Sequence, residues 1–116
     1  MKSYELSAQA RIDYFEAFEF ILSHYTMPTA IKWETRMLEA FDHLAEWPQS
    51  GRIRPEFAPP HLRFWIEGDY VILYDPSSDP LAIVAILHGA QDLLPLISAR
   101  LEDHHPQDPQ DPTETE

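Results

Sequence analysis

The side chains of this 116-residue chain best suited to binding or chemistry lie between positions 52 and 88: Arg52, Arg54, Arg63, Trp65, Tyr70, Tyr74 and His88. Arginine supplies a fixed, forked cation, and histidine exchanges a proton near neutral pH. Gathered on one surface with aromatic rings, such groups hold an anion or another polypeptide. The commoner enzymatic signatures are missing. There is no paired-carboxylate arrangement, no Gly-rich phosphate loop and no Ser-His-Asp constellation. His104 and His105 are adjacent in a polar segment that offers no further ligands to close a coordination sphere, so no metal site is expected. No cofactor is implied.

Strands must position these residues. Leu62-Arg63-Phe64-Trp65-Ile66-Glu67 and Tyr70-Val71-Ile72-Leu73-Tyr74-Asp75 flank Gly68-Asp69, a two-residue turn signal whose leading glycine suits a II′ turn. That turn sets Glu67 opposite Tyr70, Trp65 opposite Ile72 and Arg63 opposite Tyr74. Alternation then puts Leu62, Phe64, Ile66, Val71 and Leu73 on one face and Arg63, Trp65, Tyr70, Ile72 and Tyr74 on the other. The first set is expected to meet the helices. The second is too aromatic for plain solvent and is expected to meet a partner. Arg52 and Arg54, just upstream, are candidates for the same contact, although a local pair with a nearby glutamate is an equal alternative. For Arg63 the alternative role is a cation–π pair with Tyr74. For His88 it is a bond to a backbone group at the strand end.

Two helices precede the strands. After an extended start at Tyr4 and Leu6, Ser7 is placed to cap a helix from Ala8 to about Tyr25. Its apolar arc is wide, with one set at Ile12, Phe15 and Leu22 and another at Tyr14, Phe18, Ile21 and Tyr25. Thr26-Met27-Pro28-Thr29 breaks it, and a second helix is expected over about Thr29 to Ala45. Ala30, Trp33, Met37, Leu38, Phe41 and Leu44 form its stripe, and Trp47-Pro48 ends it. Trp33 and Trp47 read as core residues. Downstream, Asp75 to Pro80 is a turn cluster, and Leu81 to Leu87 is apolar throughout, as a strand covered on both faces would be. Asp92 is placed to cap a last helix over Leu93 to Leu101.

These elements make a single α+β domain, residues 1–102, in which a short N-terminal strand and a helical hairpin pack on a mainly antiparallel sheet. Fourteen aromatic residues and 44% apolar composition are enough for one core. Residues 103–116, acidic and Pro-rich without apolar content, are expected to be a disordered tail. There is no cysteine, no leader-like start and no apolar run near the roughly 20 residues a membrane helix needs, so a soluble cytoplasmic protein is expected. The formal net charge of −12 repels a phosphate backbone, which argues against non-specific nucleic-acid binding.

The order of the segments resembles the RelE/ParE superfamily of small toxins from bacterial type II toxin–antitoxin systems, over roughly residues 4 to 100. The resemblance is carried by Leu6-Ser7-Ala8-Gln9-Ala10, by Pro48 with Gly51-Arg52-Ile53-Arg54-Pro55-Glu56, by Leu62-Arg63-Phe64 and Tyr70-Val71-Ile72-Leu73-Tyr74, and by Ile86-Leu87-His88-Gly89-Ala90-Gln91-Asp92. The last piece looks more like the ParE side. The resemblance implies a cognate antitoxin whose C-terminal segment wraps the toxin and crosses the sheet face, with Arg52, Arg54, Arg63, Trp65, Tyr70 and Tyr74 as contacts, and a higher-order complex of the two. ParE-like members inhibit DNA gyrase by protein contact. RelE-like members cut messenger RNA on the ribosome, a reaction that needs cations on the phosphate and a group to activate the 2′-hydroxyl. For that alternative the resemblance implies Arg63, Tyr74 and His88. Two departures weigh against it: Ala85 stands where many relatives carry arginine, and the terminal arginine–tyrosine elements of the nucleases are missing. A non-toxic, antitoxin-binding relative is the third reading.

Overall fold

Ser7 starts the fold as its side chain predicts. Its Oγ accepts the peptide N–H of Ala10 at 3.1 Å, opening α1 (Ala8–His24). Thr26 repeats the device with the N–H of Thr29 at 3.3 Å, so α2 (Met27–Glu46) begins slightly before the expected position, with Pro28 in its first turn. The computed structural model describes residues 3–103; of the tail expected over 103–116, Asp103 ends the last helix and the rest lies outside the described residues. A short 3₁₀ turn, Pro48–Ser50, follows α2. Four strands and a last helix complete the fold: β1 (Tyr4–Leu6), β2 (Arg63–Glu67), β3 (Tyr70–Asp75), β4 (Leu81–His88) and α3 (Leu93–Asp103).

The sheet runs β1-β4-β3-β2, with β1 parallel to β4 and the other neighbours antiparallel. The α+β, mainly antiparallel expectation holds. So does the hairpin register: Glu67 faces Tyr70, Trp65 faces Ile72 and Arg63 faces Tyr74. Gly68 turns at φ 62° while Asp69 stays at negative φ, which is the II′ pattern. β4 is buried at Leu81 and from Ile83 to Leu87, as an all-apolar strand between two layers must be.

The assignment of faces is reversed. Tyr70, Ile72 and Tyr74, with Trp65 beside them, pack under the helical hairpin against Tyr14, Ile21, Met37, Phe41 and Leu44. Leu62, Phe64, Val71 and Leu73 instead form a second core with Ala58, Val84, Leu87 and Ile97, beneath the 51–62 loop and α3. Ile66 belongs to neither and is 65% exposed. Period-2 alternation sorts residues into two faces but does not say which face the helices take, because both are apolar. That choice follows from how the chain leaves β1 and re-enters the sheet beside it as β4, a long-range matter.

The helices also bury less than expected. Ala10, Tyr14, Ala17 and Ile21 of α1 and Ala30, Met37, Ala40, Phe41, Leu44 and Ala45 of α2 are buried, whereas Ile12, Phe15 and Leu38 are exposed. Trp33 is partly buried against the core, but Trp47, expected in the core, is 61% exposed.

Candidate functional site

Tyr74 sits near the end of β3 on the helix-covered face, with no exposed surface. Its hydroxyl donates to the Pro48 carbonyl at 2.7 Å and accepts the Gly51 N–H at 2.8 Å. Burial pushes the phenol above its ordinary pKa, offset in part by the Gly51 bond and the nearby Arg63. Arg63, directly opposite, donates to the Gly51 carbonyl at 2.8 Å and to the Gln49 carbonyl at 3.4 Å. Arg63 thus holds loop carbonyls rather than stacking on Tyr74, its alternative role from the sequence. Together the two side chains tie down the segment between α2 and β2. Gly51 is needed there: a Cβ would fall 2.5 Å from the Tyr74 hydroxyl and 2.7 Å from the Phe64 carbonyl oxygen.

The other end of the sheet holds a second group. Tyr70 is buried between Trp33, at 5.4 Å between ring centroids, and His88, at 5.1 Å. Burial, and then the charge of Asp69, raise its pKa. His88 Nδ1 accepts the Ala90 N–H at 3.1 Å, the backbone bond at a strand end that the sequence offered as its alternative role. Tyr74 pairs with Ile83 while His88 pairs with Tyr70, so the two lie five residues apart along β4, roughly 16 Å at 3.3 Å per residue. Arg63, Tyr74 and His88 therefore do not converge on one site.

The remaining sequence candidates divide. Trp65 is half-buried, donating from Nε1 to Glu67 at 3.1 Å, with His43 against its ring. Arg54 pairs with Glu56 at 2.9 Å and lies over the Phe57 ring. The Glu56 carboxyl is held below its usual pKa first by a bond to its own backbone, then by Arg54. Arg52 is bound through its backbone to Phe64, and its side chain is exposed.

Two features escaped the sequence reading. Asp13 of α1 and Arg100 of α3 form a mostly buried, two-pronged ion pair at 2.6 and 3.0 Å. Asp13 also accepts the Ile86 N–H at 3.0 Å, and Arg100 donates to the Val84 carbonyl at 3.2 Å, so the pair clasps both helices to β4. The second feature is a set of exposed large apolar residues on the helical hairpin, among them Phe15, Phe20, Tyr25, Met27, Ile31 and Leu38. Its signal was present, because the apolar arc of α1 is too wide for one buried face.

A helical hairpin laid on a short mixed sheet, with Arg63 and Tyr74 spent on holding a loop and Asp13 and Arg100 on holding helices, defines a small α+β domain. The family described as "ParE toxin of type II toxin-antitoxin system, parDE" matches residues 4–93, and the chain belongs to it. A solved structure described as "Chromosomal ParDE TA system from P. aeruginosa" shares the fold, with a TM-score of 0.63 at 17% identity over 76% of this chain and 96% of that one. No curated protein matches the chain. Among the described residues, no helix is long and apolar enough to cross a membrane.

Proposed function

We propose that this chain is the growth-inhibiting half of a two-protein module, that it acts in the cytoplasm by contact with DNA gyrase, and that a cognate antitoxin neutralises it. The observation that carries this reading is the ParE family match over residues 4–93, which spans every strand and both hairpin helices. Action by contact is supported by the separation of His88 from the Arg63–Tyr74 pair and by the burial of Tyr74. A net charge of −12 likewise favours a protein partner over a phosphate backbone. The antitoxin's seat in this reading includes the exposed apolar residues of the helical hairpin, among them Phe15 and Leu38, which line one groove. Arg52 stands at a separate edge with an exposed side chain, placed to meet acidic side chains of a partner, and Arg54 beside it is paired with Glu56.

A supercoiling assay tests the proposal. The purified chain abolishes gyrase-driven supercoiling of relaxed plasmid, and the protein encoded by the neighbouring gene restores it. Programmed ribosomes incubated with the chain keep their message intact. Undisturbed supercoiling at micromolar chain, or message cut in the ribosomal A site, would sink the gyrase reading.

A further inference from the structure

Folding leaves the polar groups of one cavity short of partners. The cavity, about 470 Å³, opens between the α1–α2 junction and the β2–β3 turn, and has the size of an ordinary small-molecule site. Its walls include the rings of Phe20, Tyr25, Trp33 and Tyr70. Tyr70 is only 8% exposed, yet its hydroxyl makes no hydrogen bond within the described residues. The Trp33 indole N–H is buried and has no acceptor either. Such donors are uncommon in a folded interior, because their lost hydration is not replaced. His88 also lines the cavity. Its Nδ1 accepts the Ala90 N–H, so the neutral ring carries its proton on Nε2.

Charge is divided between the cavity's two sides. Lys32 and Arg36, one helical turn apart on α2, line it and form no ion pair among the described residues. Glu67 and Asp69 line it from the β2–β3 turn. Glu67 already accepts the Trp65 Nε1–H, whereas the Asp69 carboxylate accepts nothing among the described residues. The Asp69 backbone is fixed, its carbonyl accepting the Gly89 N–H at 2.8 Å. Unpaired cations and unanswered donors call for an anion with acceptor atoms, and aromatic walls call for a flat ring. The carboxylate at the turn calls for N–H donors at the ligand's far end. We propose that this cavity binds a free guanine mononucleotide, with its phosphate at Lys32 and Arg36, its ring against the aromatic walls and its base edge on Asp69. The inference is independent of the gyrase and antitoxin readings.

Other ligands of similar chemistry fit less well. An amino acid carries its ammonium and carboxylate on one carbon, whereas here the cations and the acids stand on separate elements and do not pair. Among the common bases, guanine alone sets two N–H donors side by side on its pairing edge, the match to the two oxygens of a carboxylate. A nucleic-acid polymer would lay many phosphates along a chain at −12. A mononucleotide meets only the cavity and its rim, and distant acids are screened beyond about 8 Å at physiological salt. Burial, and then the charge of Asp69, raise the Tyr70 pKa, so its hydroxyl remains a donor at neutral pH.

An NMR titration of the ¹⁵N-labelled full chain with guanosine monophosphate provides the test. The indole N–H signal of Trp33 shifts and saturates, while that of Trp47, 61% exposed and outside the cavity, stays in place. Guanosine, without the phosphate, and inosine monophosphate, without the second donor, each bind about tenfold or more weakly. The double variant Lys32→Gln, Arg36→Gln weakens guanosine monophosphate by about tenfold or more and leaves guanosine unchanged. Tyr70→Phe removes a hydroxyl that folding does not use, so the melting temperature holds while affinity falls about fivefold. No saturable shift at Trp33 with millimolar guanosine monophosphate overturns the site. Equal affinity for inosine monophosphate, or full affinity in the double variant, overturns the assigned ligand. Tighter binding of a guanine-containing hexaribonucleotide overturns the free nucleotide as the occupant.

Discussion

At the scale of single residues, Tyr74 shows how a group that looks available for chemistry is spent on structure. A buried hydroxyl must find partners, and Pro48 and Gly51 supply both an acceptor and a donor. Tyr74→Phe leaves that carbonyl and N–H without their bonds and is expected to cost about 1–3 kcal/mol in urea unfolding. Gly51→Ala is expected to cost as much or more, because its Cβ meets the hydroxyl and a backbone oxygen that cannot both retreat. Tyr74, Tyr70 and Tyr14 share a pH consequence. Burial comes first among the causes that raise each phenol, with the Glu34 hydrogen bond second at Tyr14. A phenol whose folded pKa exceeds its unfolded value keeps its proton longer in the native state. Stability is then fully present below about pH 10 and falls as pH rises beyond it. Chemical denaturation from pH 7 to 11 is expected to give a flat profile followed by a decline, shallower for Tyr74→Phe.

At the scale of elements, the clasp of Asp13 and Arg100 joins α1, α3 and the unpaired stretch of β4. Only about an eighth of either side chain is exposed, at 13% and 11%, so removing one partner strands a poorly solvated charge. Asp13→Ala also orphans the Ile86 N–H. It is expected to destabilise by about 3 kcal/mol or more, with little relief from added salt. A double-mutant cycle with Arg100→Leu should return a large coupling energy, because each single change leaves the other charge unpaired. The hairpin behaves differently. Gly68 alone carries the positive φ its turn requires, and its surroundings are open, so Gly68→Ala is expected to cost about 1 kcal/mol through backbone strain alone.

At the scale of the whole molecule, the surface is acidic yet carries bare apolar residues on its helices. Phe15 and Leu38 touch solvent where a stable monomer would gain nothing by keeping them. Phe15→Glu and Leu38→Glu are expected to leave the melting temperature within a few degrees of the parent, since neither side chain is in the core. The same changes are expected to weaken the neighbouring-gene protein's affinity on the order of tenfold or more by titration calorimetry. Full affinity in both variants would move the partner's seat elsewhere on the surface.

Local chemistry made much of this legible from residues alone. Ser7 and Thr26 announce helix starts, Gly68-Asp69 sets a hairpin register that then holds pair by pair, and an unbroken apolar run from Leu81 marks a strand with two covered faces. Each depends on groups within a few positions of one another. What tertiary structure alone decided was which sheet face the helices cover, that β1 lies parallel beside β4, and that Asp13 meets Arg100 across 87 positions. Alternation gives two faces of similar apolarity and no rule for choosing between them. That choice turned the aromatic face from an expected partner surface into core, and left the large apolar residues exposed on the helices instead.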